Sequence, residues 1–117
     1  MSAFPTPELD KILKEKDIQG EQERQTLLAK TQQWLHENAV KYGINRAYIF
    51  GSLTRPYKFH PGSDVDIAVE NINPELHFEA LSILSYYLGR EVDIILLKNC
   101  HFAHRIREEG ILWTTDN

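Results

Sequence analysis

Ala47-Tyr48-Ile49-Phe50-Gly51-Ser52, then a turn-rich loop, then Ser63-Asp64-Val65-Asp66-Ile67-Ala68-Val69, is the stretch that decides how this chain folds. The first four residues are apolar and β-prone, and glycine stops them. Pro56, Pro61 and Gly62 mark the segment from Ser52 to Ser63 as loop. The residues after Ser63 alternate with period two, the pattern of a strand with one face buried. Val65, Ile67 and Val69 share the face that packs on helices. Asp64 and Asp66 project together from the other.

Working outward, Thr6-Pro7-Glu8 has the cap, proline and acid of a helix start. A short helix carrying Leu9, Ile12 and Leu13 is expected to end before Gly20. A second is expected from about Glu21 to Tyr42, with Leu28, Leu35 and Ala39 on its apolar stripe, and Gly43 as its left-handed stop. Asn73-Pro74-Glu75 starts another helix, with Leu76, Ala80, Leu81, Leu84 and Leu88 along one face and Gly89 closing it. Val92-Asp93-Ile94-Ile95-Leu96-Leu97 is nearly all apolar and reads as a central strand. Asn99 is the expected cap of a last short helix ending at Gly110, and Ile111-Leu112-Trp113 the expected edge strand. This order predicts an α/β (α+β) fold, a small mixed sheet flanked by helices.

The chain has 117 residues, enough for one domain. We divide it into an N-terminal helical extension, residues 1–20, and a core, residues 21–117. Its net charge of −4 argues against general nucleic-acid binding through phosphates. A single cysteine, Cys100, excludes an internal disulfide framework and suits a reducing cytoplasm. No secretory signal and no membrane-length apolar run are visible.

Three acids stand where a sheet would prefer valine: Asp64, Asp66 and Asp93. Carboxylates crowded into one sheet repel each other and resist burial. A divalent cation removes that penalty, and oxygen-only ligation favours Mg²⁺ or Mn²⁺ over zinc. Gly51 allows close backbone approach and Ser52 offers a hydroxyl beside free amides, a phosphate-holding corner. Phosphate donors beside a carboxylate-held metal are what phosphoryl or nucleotidyl transfer needs. His101 and His104 lack a completing acid or cysteine for zinc. Arg55, Lys58 and Arg90 are candidate phosphate neutralisers. Arg90 and Arg46 are also candidate partners for Asp93.

Phe50-Gly51-Ser52, Arg55 and Ser63-Asp64-Val65-Asp66 resemble the Gly-Ser…Asp-x-Asp signature of the DNA polymerase beta-like nucleotidyltransferase superfamily, and the small size is similar to its minimal nucleotidyltransferase (MNT) branch. The resemblance runs over roughly residues 25 to 115 and departs at Pro56, where glycine is common. It implies that Gly51 and Ser52, with Arg55 and Ser63 nearby, hold the triphosphate of ATP. It implies that Asp64 and Asp66 bind two Mg²⁺ ions, and that Asp93 completes the metal site and helps activate the nucleophile. Many MNT proteins pair with HEPN proteins as toxin–antitoxin systems. The implied activity is therefore an antitoxin's, transferring AMP from ATP to a tyrosine of a HEPN ribonuclease. The resemblance leaves two rivals: an antitoxin that works by contact alone, and a small-molecule nucleotidyltransferase.

Overall fold

The computed structural model describes residues 6–115. Its elements are α1 (Pro7–Asn38), β1 (Arg46–Phe50), β2 (Val65–Val69), α2 (His77–Leu88), β3 (Val92–Leu96), α3 (Ala103–Glu109) and β4 (Ile111–Thr114). The four strands form one mixed sheet in the order β3-β2-β1-β4. β1 pairs antiparallel with both β2 and β4, whereas β2 and β3 run parallel, joined over one face by α2. This is the predicted small mixed sheet flanked by helices.

The main core lies between that face and helices α1 and α2. Leu27, Trp34 and Leu35 of α1, Ala80, Leu84 and Leu88 of α2, and Ile49, Val65, Ile67 and Val69 of the sheet are its centre. The opposite face carries a smaller cluster, Tyr48, Ala68, Leu97 and Ile106, beneath α3. The period-two alternation of β2 thus sorts its side chains as expected. Thr6 caps α1 by accepting a hydrogen bond from the Leu9 amide at 3.1 Å. Asn73 does the same for the Glu75 amide at 3.0 Å, opening a single 3-10 turn that runs into α2. Gly43 and Gly89 take the expected left-handed conformation behind their helices.

Three expectations are corrected. The two N-terminal helices are one, a 32-residue α1 that runs straight through Gly20. A glycine inside a helix costs about 1 kcal/mol against alanine. Here it lets the helix pass the loop closely: a Cβ at position 20 would lie 3.3 Å from the Phe59 carbonyl oxygen. The first turns of α1, residues 6–19, are exposed throughout, Leu9, Ile12 and Leu13 included. Second, β3 is an edge strand, not a central one. It is apolar because both its faces are covered: Ile94 faces the main core and Ile95 the smaller cluster. Third, Asn99 ends a 3-10 turn, and Phe102, with no side-chain cap bond, stands before α3.

Among the described residues no helix is long and apolar enough to cross a membrane. Leu84 is fully buried where α2 meets the sheet. Leu84→Ala is expected to destabilise the protein by about 2–5 kcal/mol, read as a lowered midpoint in urea unfolding.

Candidate active site

The sheet register brings the acids to one place. Phe50 lies opposite Asp66 across the β1–β2 pair, and Asp66 lies beside Asp93 across the β2–β3 pair. Cross-strand partners in a parallel pair share a face, so the Asp66 and Asp93 side chains rise from the sheet together. Asp64 immediately precedes β2, two residues from Asp66. Asp66 is half-buried, while Asp64 and Asp93 are exposed. Burial, first, and then the charges of Asp93 and Asp64 push the Asp66 carboxyl above its usual range. The three are therefore electrostatic neighbours.

Among the described residues, no three carboxylate, imidazole or thiol groups stand in a ready cation-holding cluster. The donor set nonetheless fits a divalent cation in its chemistry. It is all oxygen, it carries excess negative charge, and its central member is partly desolvated, the conditions under which Mg²⁺ or Mn²⁺ is preferred.

Gly51 stands at the end of β1 with φ +79°. A Cβ there would come within 2.6 Å of Asp66 Oδ2, so the carboxylate occupies the space that any side chain at 51 would need. A 3-10 turn, Gly51–Thr54, follows. It is held by Thr54 Oγ1 donating to the Gly51 carbonyl at 2.8 Å and by the fully buried Leu53. Ser52 is half-buried beside Gly51 and Arg55 is exposed. Arg55 shares a cleft of about 520 Å³ with Phe50, Gly51, Thr54 and Phe102, and α3 adds Arg105. A larger, open cleft of about 920 Å³ contains Asp64 and Asp93 with Ser82, Ser85 and Val92. Arg105 went unnoticed in the sequence, where it lies fifty residues from Arg55; only packing of α3 against β1 joins them.

Ser63 serves the loop itself. Its Oγ accepts from the His60 amide at 2.9 Å, and its own amide donates to the His60 carbonyl at 2.9 Å, a closed turn that delivers Asp64 to the sheet. Arg90 is likewise engaged away from Asp93. Its Nη1 donates to the carbonyls of His60, Pro61 and Ser63 at 3.1, 2.9 and 3.0 Å, its Nη2 pairs with Glu23, and its guanidinium lies over the Phe59 ring. Arg46 lies at the far end of β1 from Asp66, opposite Thr114.

Residues 30–117 match the family model of the polymerase beta nucleotidyltransferase domain. The chain belongs to the polymerase beta nucleotidyltransferase family. Solved structures agree with this assignment. One assigned as a minimal nucleotidyltransferase superposes with a TM-score of 0.64 at 25% identity, over 75% of this chain and 93% of that one. A toxin–antitoxin crystal structure with AMP-PNP superposes at 0.57 and 26% identity, over 75% of this chain and 73% of that one. A mutant of the MntA–HpeT toxin–antitoxin shares the fold, with a TM-score of 0.55, 23% identity, and 75% and 73% coverage. None of the curated proteins matches the chain. A nucleotidyltransferase fold of this family implies a nucleotide substrate and a divalent metal.

A carboxyl whose pKa is raised on folding keeps its proton more firmly in the folded state. Stability linked to Asp66 is therefore present at low pH and falls as pH climbs from its ordinary value of 3.8 through the raised one. Asp66→Asn removes that loss. Without divalent cations the variant is expected to melt at a higher temperature than wild type at pH 7, with the gap closing below about pH 4. Thermal melts across pH check this.

Proposed function

We propose that this protein is a Mg²⁺-dependent adenylyltransferase that serves as an antitoxin, moving AMP from ATP to a tyrosine of a HEPN ribonuclease partner in the cytoplasm. The observation that carries the reading is the register of Asp66 with Asp93 beside the Gly51 corner, in a chain of this family. The toxin–antitoxin structures among its structural neighbours, one with AMP-PNP, support the partner class and the nucleotide. A net charge of −4 favours a protein acceptor over a nucleic acid.

Each side chain then has a task. Asp64 and Asp66, with Asp93, would hold divalent cations, which neutralise the triphosphate and the leaving pyrophosphate. The Gly51 corner and Ser52 hydroxyl hold phosphate oxygens, Arg55 adds positive charge from the adjoining cleft, and Ser63 fixes the turn before Asp64. The acceptor enters the larger cleft, where Asp93 is exposed. Its hydroxyl oxygen attacks the α-phosphorus, the bond to the bridging oxygen of the β-phosphate breaks, and pyrophosphate leaves. Asp93 takes the hydroxyl proton.

Incubation with ATP labelled at the α-phosphate and the co-expressed partner tests the reading. Wild type is expected to label the partner and raise its intact mass by one or more adenylyl units. Asp64→Asn with Asp66→Asn is expected to lose at least about a hundredfold in rate, the scale of removing a transition-state charge stabiliser, and to stop rescuing toxin-expressing cells. Rescue that survives with labelling abolished would favour neutralisation by contact. Labelling of a small molecule in place of the partner would favour small-molecule transfer.

A further inference from the structure

The loop between Ser52 and Asp64 is held from outside itself, by charged side chains of α1. Arg24 is only 8% exposed, although it carries a guanidinium. Its Nη1 donates to the Leu53 carbonyl at 3.0 Å. Its Nε and Nη2 fork onto both carboxylate oxygens of Glu21 at 2.8 and 2.6 Å. The same Glu21 Oε1 accepts from the Tyr57 amide at 2.9 Å. Tyr57 has φ +63°, a conformation a tyrosine rarely adopts unaided. One ion pair thus holds both limbs of the first half of the loop. Glu23, between them on the same turn of α1, pairs with Arg90, whose guanidinium gathers the carbonyls of His60, Pro61 and Ser63.

We infer that Glu21 and Arg24 are positioning residues for the nucleotide-holding corner, a strap supplied by the part of α1 that precedes the family segment, which begins at residue 30. The inference rests on the nucleotidyl-transfer reading above. A buried ion pair is a poor source of stability, because desolvation cancels most of its attraction. An apolar pair would fill the space as well. What the fork supplies, and an apolar pair cannot, is direction: it fixes one carbonyl two residues after Gly51 and one amide six residues after it. Arg24, and then the Tyr57 amide, hold the Glu21 carboxyl down at about 2, so the acid is ionised at neutral pH.

Arg24→Met keeps the aliphatic stem and removes the donors. Glu21→Gln keeps the shape and removes the charge. Amide hydrogen exchange on the nucleotide-free protein decides whether the strap exists: both variants are expected to speed exchange at Tyr57 and its neighbours, with the strand amides unchanged. Steady-state kinetics with ATP decides whether the strap serves the reaction. The loop binds ground state and transition state alike, so KM for ATP is expected to rise about tenfold with kcat within about threefold, and Arg24→Lys to fall between. Lowered melting temperature with unchanged KM would mean a merely structural pair and overturn the inference, as would unchanged exchange at Tyr57. If Arg24→Met fails to fold, Glu21→Gln carries both arms. A wild-type protein that binds and transfers no nucleotide would overturn the functional reading, and with it the strap's role in a reaction, while the exchange result still stands or falls separately.

Discussion

Like charge crowded onto one patch of a small sheet is the constraint around which this molecule is arranged. Asp66 is pressed by two further carboxylates and partly withdrawn from water. Every other residue of β2 helps to keep it there. Val65, Ile67 and Val69 are buried against the helices and fix the strand's face. Ala68, fully buried on the acid side, packs with Tyr48. A strand locked by those contacts cannot rotate to release its carboxylate. The electrostatic cost is therefore retained in the fold, and a divalent cation is the ordinary chemical means of offsetting it.

The acidic end of the sheet is also where regular structure gives out. Between β1 and β2 the chain leaves the sheet for a loop in which few backbone groups pair with one another. Their partners come from elsewhere: Arg24 and Glu21 at the near limb, and at the far one Arg90, which is itself paired with Glu23. Loops that carry function need a rigid frame, and here the frame is a helix. That gives the long α1 two roles. Its apolar stripe closes the core through Leu27, Trp34 and Leu35, and its charged turn bonds the Leu53 carbonyl and the Tyr57 amide of the loop after the Gly-Ser pair.

What could be read from the sequence followed from periodicity and from local chemistry. Alternation from Val65 to Val69 was enough to put Asp66 on the face opposite Val65, Ile67 and Val69, because side-chain parity in a strand leaves no other choice. Asparagine and proline marked the 3-10 turn that runs into α2, and glycine marked the end of α2. Lateral position was not legible. Strand β3 is apolar because α2 and the 97–103 segment cover its faces, and hydropathy reports faces, not neighbours in the sheet. Nor was the continuity of α1 legible. Gly20 is a fair stop signal locally, and it is overruled by contacts with residues some forty positions away. The tasks of Arg24 and Arg90 were hidden for the same reason: their partners are set by tertiary geometry, and a charged residue on a helix looks the same before folding whether it meets solvent or a carbonyl.

Gly51 carries a consequence for how this gene can vary. Every residue reachable from a glycine codon by one base change has a carbon where the Asp66 carboxylate already lies. It would also have to accept a backbone shape that disfavours it. Drift at this codon is therefore held back in a way that drift at the loop tip is not, and glycine is the residue a saturation library of the protein would retain at position 51.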